Sequence, residues 1–339
     1  MTFSVIRRSL TALIFAVAIP FSALADSSEG TYLDSQDAQA FIEEMASEHG
    51  FERQQIEGCL GHATRQDKII ESISRPAEKT LEWHQYRNIF IKPEQIEDGL
   101  RFMAEHESVF ARAESTFGVS RYIIAGVLGV ETRFGRYLGN YRVLDALATL
   151  AFDYPPRSRF FRKELGEFFL MTREQGFDPL TVKGSYAGAM GFGQFISSSY
   201  RHYAVDFDDD QVADILTNPV DAIGSIANYF ARHGWKEGQP VADRLDKESL
   251  PDDSLLLTKG LKPSKTVADY RKAGVDVAPA LKGSAPARAL SLEGADGPEL
   301  WLTYHNFYVI TRYNHSHLYG MAVNTLAQEI QAADETRQN

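Results

Sequence analysis

The run Tyr122-Ile-Ile-Ala-Gly-Val-Leu-Gly-Val-Glu-Thr-Arg-Phe-Gly135 reads as a core helix with an acid on its apolar face. Spacings of three and four put Ile124, Val127, Leu128 and Glu131 on one stripe, continued by Phe134 and Leu138. Ser120 stands where an N-cap is expected. Glu131 therefore points inward. Lost hydration and the negative end of the helix dipole should both raise its pKa, and a carboxyl that keeps its proton near neutrality can donate it. An ion pair with Arg133, Arg136 or another basic side chain is the alternative that periodicity alone leaves standing.

The rest of the chain supplies a helical frame for this run. Ala38–Glu48 carries Phe41, Ile42 and Met45 inward, and Pro93–Phe117 runs from a proline to Gly118. Further helices are expected at Leu144–Phe152, at Arg159–Gln175 with Phe161, Leu165, Phe168 and Phe169 inward, at Pro219–His233, and at His317–Ala332. Between Gly238 and Ala287 the texture changes, with Pro240, Pro251, Pro263, Pro279 and Pro286 around one helix at Lys265–Ala273. Ala287–Leu292 and Glu299–Thr303 alternate about Gly294–Pro298 and read as a β-hairpin with a longer loop. The fold class is mainly α (α+β). Its expected divisions are a leader at 1–25, a helical region at 26–237, an excursion at 238–286 and a closing unit at 287–339.

The leader reads as a cleavable export signal: Arg7 and Arg8, the apolar stretch Leu10–Ala23, and Ala23-Leu-Ala25 as the processing site. It implies a periplasmic protein, with the export route open. An apolar fraction of 44% with 12% aromatics supports a large core. The net charge of −11 becomes two more negative without the leader, which argues against a nucleic-acid partner. Cys59 is the only cysteine, so no internal disulfide is available and a Cys-based metal or nucleophile site has no support.

Two further segments carry polar chemistry. Lys183-Gly-Ser-Tyr-Ala-Gly-Ala-Met-Gly-Phe-Gly-Gln-Phe195 combines four glycines with Ser185, Tyr186 and Gln194, which suits close contact with sugar rings. It lacks the Gly-Lys-Ser/Thr ending of a phosphate loop, and a tight turn between helices is the structural alternative. Ile310-Thr-Arg-Tyr-Asn-His-Ser-His-Leu-Tyr319 gathers Tyr313, Asn314, His315, Ser316 and Tyr319 ahead of the last helix. It reads either as a cap over a Tyr-lined core or as a cleft wall.

Together these segments resemble the lytic murein transglycosylases of the membrane-bound B type, which cleave peptidoglycan on a lysozyme-like core. The resemblance rests on Gly126–Gly135, Leu144-Asp-Ala-Leu-Ala-Thr-Leu150, Gly184–Phe195, Asn218-Pro-Val-Asp-Ala-Ile-Gly-Ser225 and Thr311-Arg-Tyr-Asn-His-Ser316, in the family's order. No cysteine follows Ala25, so this form lacks the lipid-attachment residue. The resemblance implies Glu131 as sole catalytic acid and base, with Ser185, Gln194, Tyr229, Tyr313, Asn314 and Tyr319 lining a glycan cleft. Tyr86, in Trp83-His-Gln-Tyr86, is either a cleft residue or core. Ordinary glycosidases need two carboxylates, and the neighbours Asp145 and Asp153 both read as structural. A lone Glu131 therefore points to substrate assistance and closure of a 1,6-anhydro ring, with a hydrolytic muramidase or a non-catalytic glycan-binding protein as rivals.

Peptidoglycan strands, the implied partner, carry lactyl and peptide carboxylates, so an acidic enzyme needs local cations. Arg133, Arg136, Arg142, Arg157 and Arg312 are the candidates. Partners among wall-synthesis or division proteins are not readable from the sequence. No cofactor is required. The resemblance does imply a structural calcium at Asp206-Phe-Asp-Asp-Asp-Gln-Val-Ala-Asp-Ile-Leu-Thr217, through Asp206, Asp208, Asp210, Val212, Asp214 and the later Asp221. Gln211 replaces the usual turn glycine and Thr217 the closing Glu, and a solvated acidic loop is the alternative.

Overall fold

The computed structural model describes residues 32–74, 81–246 and 260–338; the expected leader at 1–25 and Pro251 lie outside the described residues. Its helices are α1 (Gln36–His49), α2 (Arg53–Gly61), α3 (Asp67–Ile73), α4 (Trp83–Phe90), α5 (Pro93–Glu105), α6 (Glu107–Phe117) and α7 (Arg121–Thr132). They continue with α8 (Val143–Phe152), α9 (Ser158–Gln175), α10 (Ser197–Tyr203), α11 (Pro219–Arg232), α12 (Val267–Lys272), α13 (His305–Tyr313) and α14 (His317–Gln338). Short strands β1 (Tyr141–Arg142) and β2 (Lys183–Gly184) pair with each other. The other strands are β3 (Ala242–Leu245), β4 (Lys265–Thr266), β5 (Pro286–Gly294) and β6 (Gly297–Tyr304). Among the described residues no helix is long and apolar enough to cross a membrane.

Helix α7 is the axis of the core, and it departs from a one-striped helix. Every residue from Ile123 to Thr132 is buried, as expected of a helix apolar all round. Gly126 and Gly129 make this enclosure feasible, because a Cβ at either would meet Val323 O at 2.7 Å or Leu326 Cδ2 at 2.5 Å on α14. The two helices therefore touch backbone to side chain. Helix α7 also stops earlier than expected. Arg133 turns left-handed (φ 49°), and its N–H and that of Phe134 take the carbonyls of Gly129 and Leu128 at 3.0 Å. Phe134 and Leu138 thus leave the stripe. At the other end Ser120 occupies the cap position but makes no side-chain cap bond; Glu114 Oε1 accepts the Arg121 N–H at 3.0 Å instead.

The expected helix Pro93–Phe117 is two helices, broken where His106 leaves helical geometry (φ −121°, ψ 27°). The break wraps the chain around the Phe102 ring, which packs on His106, Phe110 and Phe134. Helix α9 buries all four expected residues, and also Glu164. That carboxylate accepts the Ser198 N–H at 2.9 Å and hydroxyl at 2.8 Å, securing the start of α10. Burial pushes its carboxyl up despite these bonds. A raised native value means that this group's contribution to stability falls as pH climbs from the ordinary carboxylate value through the native one. Glu164→Gln should accordingly gain Tm relative to the parent as pH rises from about 4, the ordinary carboxylate value, and a pH-independent difference would refute the assignment.

The hairpin is longer and its loop shorter than expected, with Gly294 paired to Gly297 and only Ala295 and Asp296 between them. Two strands from the Pro-punctuated segment join it, giving an antiparallel sheet in the order β3-β6-β5-β4. Alternation sends Leu290, Leu292 and Trp301 to the main core, and Ala287, Ala289, Leu302 and Tyr304 to a second core with Val267, Tyr270, Val275 and Val277. The expected Lys265–Ala273 helix yields its first two residues to β4, where Thr266 caps α12.

Candidate active site

Glu131 lies one residue from the end of α7 and is 7% exposed, within the core yet reached by solvent. The Tyr319 hydroxyl, on the first turn of α14, donates to its Oε1 at 2.7 Å. The close α7–α14 crossing sets that distance. Burial, and then the Glu131 charge, push the Tyr319 and Tyr313 hydroxyls well above their ordinary values, so both stay protonated donors. Fully buried Tyr86 belongs to the same electrostatic neighbourhood, acting on Tyr319.

The basic residues nearest in sequence serve another acid. Arg133 Nε donates to Asp98 Oδ2 at 2.7 Å, Arg136 approaches the same oxygen at 3.9 Å, and Arg101 bonds Oδ1. Burial opposes ionisation of Asp98, but the hydrogen bonds from Arg133 and Arg101 outweigh it and hold the carboxyl below its usual range. Asp98 was not legible as a partner, because 35 residues separate it from Arg133. The other sequence-adjacent acids are also engaged: Asp145 by Arg142 at 2.6 Å and the Thr64 N–H at 2.9 Å, and Asp153 by the Tyr32 hydroxyl at 2.8 Å and Arg65 at 3.4 Å.

The glycine-rich segment is clamped beside the acid. Thr132 Oγ1 donates to Phe192 O at 3.0 Å and the Tyr313 hydroxyl to Gly193 O at 2.6 Å, so the loop hangs between α7 and α13. Ser185 Oγ accepts the N–H groups of Ala187 (3.2 Å) and Ala189 (3.1 Å), which leaves its own proton to donate. Gln194, held left-handed at φ 50°, gives its amide to Leu138 O (3.2 Å) and Gly191 O (2.9 Å). Leu138, expected on the α7 stripe, instead anchors this side chain through its carbonyl.

Tyr229, Tyr313 and Tyr319 form the facing wall. The Tyr229 and Tyr313 rings meet edge-on at 4.7 Å, Tyr313 and Tyr319 lie parallel at 6.3 Å, and Tyr229 donates to Arg312 O at 2.7 Å. Asn314, 2% exposed, directs an amide nitrogen with no hydrogen-bond partner among the described residues. Such a buried donor is costly unless an acceptor arrives. Sequence reasoning missed one support: Arg288 on β5 reaches His317 Nε2 at 2.6 Å, two residues before Tyr319. Burial and Arg288 push His317 down to about 4, so it is neutral at physiological pH. Nothing local marks a contact between residues 29 apart.

The acidic loop brings together three of its expected ligands. The carboxylates of Asp206, Asp208 and Asp210 come within 4.8 Å of one another. Gln211 (φ 78°) and Asp209 (φ 63°) adopt the turn without glycine. Asp214 instead caps the following turn, accepting the N–H groups of Leu216 and Thr217, and the Val212 N–H binds Asp210. Asp221 is fully buried and accepts from the Phe207 and Asp214 N–H groups at 2.6 and 2.7 Å. Burial, then the charges of Asp208 and Asp206, push its carboxyl up to about 6. The loop ends against the site: Ile215 O accepts the Phe192 N–H at 3.1 Å, and a Cβ on Gly191 would stand 2.1 Å from that oxygen.

The mainly helical frame is the lysozyme-like fold of lytic transglycosylases, and its relatives place the chain among the lyases that act on peptidoglycan. The transglycosylase SLT domain matches residues 34–328, and the chain belongs to that family as a lytic murein transglycosylase. It is 42% identical over 313 residues to membrane-bound lytic murein transglycosylase B of Escherichia coli (strain K12), spanning 90% of this chain and 85% of that one. Among solved structures, catenated lytic transglycosylase SltB1 from Pseudomonas aeruginosa is 46% identical with a TM-score of 0.83, covering 88% of this chain and 98% of its own. Escherichia coli lytic transglycosylase Slt35 in complex with calcium is 41% identical with a TM-score of 0.82, covering 91% and 96%. SltB3 from Pseudomonas aeruginosa, in complex with NAG-NAM-pentapeptide, is 28% identical with a TM-score of 0.75, covering 87% and 78%.

Proposed function

We propose that the protein acts in the periplasm on peptidoglycan strands, cleaving the β-1,4 bond between N-acetylmuramic acid and N-acetylglucosamine with Glu131 as the only catalytic carboxyl. The observation that carries this reading is the buried Glu131 carboxyl bonded to a tyrosine hydroxyl while Arg133 and Arg136 turn to Asp98. Glu131 gives its proton to the leaving glucosamine oxygen as the muramic N-acetyl oxygen attacks C1, forming an oxazolinium ring. Glu131, now carboxylate, takes the proton of the C6 hydroxyl. O6 attacks C1, the bond from C1 to the N-acetyl oxygen breaks, and a 1,6-anhydro ring closes with Glu131 reprotonated. Ser185 and Asn314, each with a donor to spend, orient the N-acetyl group, and Gln194, Tyr229, Tyr313, Tyr319 and Tyr86 shape the cleft. Incubation with purified sacculi tests this: product masses should show 1,6-anhydro ends, and reducing ends in their place would make the protein a hydrolytic muramidase.

Tyr319→Phe should lower kcat by about tenfold to a hundredfold while the fold survives, since one charge-assisted hydrogen bond at the acid is lost. An unchanged kcat would remove Tyr319 from the mechanism. Asp206, Asp208 and Asp210 would hold a structural calcium, whose charge would relieve the repulsion that Asp206 and Asp208 exert on Asp221. Calcium at about a hundredfold over Kd should stabilise the protein by about 2.7 kcal/mol. Thermal melts should show this rise in the parent and not in Asp208→Ala, and equal melts with and without calcium would exclude the site.

A further inference from the structure

An acidic enzyme acting on an anionic strand needs an uncommitted cation at its cleft, and the five arginines beside the motifs differ in this respect. Arg133 and Arg136 serve Asp98, and Arg142 serves Asp145. Arg157 lies over the rings of Phe160 and Phe161 at 4.4 and 5.0 Å, and burial pushes its guanidinium down. Arg312 is different. Among the described residues no carboxylate stands within salt-bridge distance of it, and its Nη1 has a neutral-capable partner, His315 Nε2, at 3.3 Å.

Its position is as informative as its charge. Arg312 occupies the last turn of α13, immediately before Tyr313 and Asn314, and its carbonyl fixes the Tyr229 hydroxyl. The Tyr229 ring stacks on His233 at 4.0 Å, and the Arg312 charge reaches both groups, helping to depress the His233 imidazolium. The guanidinium and two imidazoles thus gather around one end of the tyrosine wall. A partly exposed arginine there has donors in a fixed fork suited to a carboxylate.

We propose that Arg312, flanked by His233 and His315, is a carboxylate-recognition point for the muramic acid branch of the strand. The anion is either the free lactyl carboxylate of a peptide-free sugar or a carboxylate of the attached stem peptide. This inference rests on the glycan-cleaving reading above, and it makes Arg312 a specificity residue that distinguishes charged muramic strands from neutral ones.

The test uses the full mature chain and three soluble ligands: stem-bearing strands, peptide-free strands with free lactyl carboxylates, and the latter amidated to neutrality. Affinities are measured by calorimetry in Glu131→Gln, with and without Arg312→Gln or Arg312→Lys. Arg312→Gln should reduce the preference for a charged over the amidated strand by about tenfold, and Arg312→Lys should restore part of it. Loss of preference for stem-bearing strands alone assigns a peptide carboxylate; loss for peptide-free strands alone assigns the lactyl group. Equal weakening toward all three ligands, or no weakening toward any, overturns the proposal. Because no turnover is read, failure here is separate from failure of the cleavage reading, which the parent enzyme's product masses decide.

Discussion

Glu131→Gln should abolish sacculus digestion, lowering turnover by at least about 10³-fold, while binding of glycan strands and the thermal melt persist. General acid–base participation contributes about 10²- to 10⁴-fold per proton transfer, and here one carboxyl serves both transfers. Glutamine keeps the shape and can still accept the Tyr319 hydroxyl through its carbonyl oxygen, so the packing at the α7–α14 crossing should survive. The variant therefore separates chemistry from architecture. A fall in activity accompanied by a large loss of Tm would point to a structural role for Glu131. Digestion at the parent rate would remove it from the mechanism and favour a different catalytic group.

The second large effect is expected at Gly139, in the loop that links Glu131 to the first strand. Its φ is 93°, and a Cβ there would stand 2.1 Å from Gly184 O and 2.6 Å from Ser185 N, both backbone atoms that cannot swing aside. Gly139→Ala should cost about 3 kcal/mol or more and lower Tm by several degrees. It should also reduce activity, because relief of the clash displaces Ser185. Gly50→Ala is the control: φ is 66° at the end of α1 and nothing lies within 4 Å of the added Cβ, so it reports backbone strain alone, about 1 kcal/mol. Similar losses in the two variants would mean that the loop moves freely away from Ser185.

Helix positions were readable wherever packing followed a local period. The four aromatic and leucine positions of α9 and the glycine stop after α6 came from spacing and end signals. Failures arose where a distant contact outweighed the local pattern. His106 bends a continuous helical sequence around Phe102, and at the start of α7 it is Glu114 that accepts a free backbone N–H, that of Arg121, while the Ser120 side chain makes no cap bond. Strands β3 and β4 carry too few residues to show alternation, and they exist because β6 and β5 supply partners. The clustering of Asp206, Asp208 and Asp210 follows from their alternate spacing in the acidic loop, whereas Asp214 and Asp221 turn to backbone N–H groups that no spacing rule assigns to them.

For the candidate site, the sequence alone determined that an acid sits inside a strongly apolar helix, with a glycine-rich segment and a tyrosine-rich segment elsewhere in the chain. Those are properties of residue type and period, which each stretch carries by itself. The tertiary structure decided what the acid faces. Arg133 and Arg136, its neighbours in sequence, are drawn to Asp98 on α5, and Tyr319, 188 residues away, reaches Glu131 because Gly126 and Gly129 let α14 settle onto α7. Hydrogen bonds and charges act over a few ångströms of space, and only the packed chain determines which residues share them.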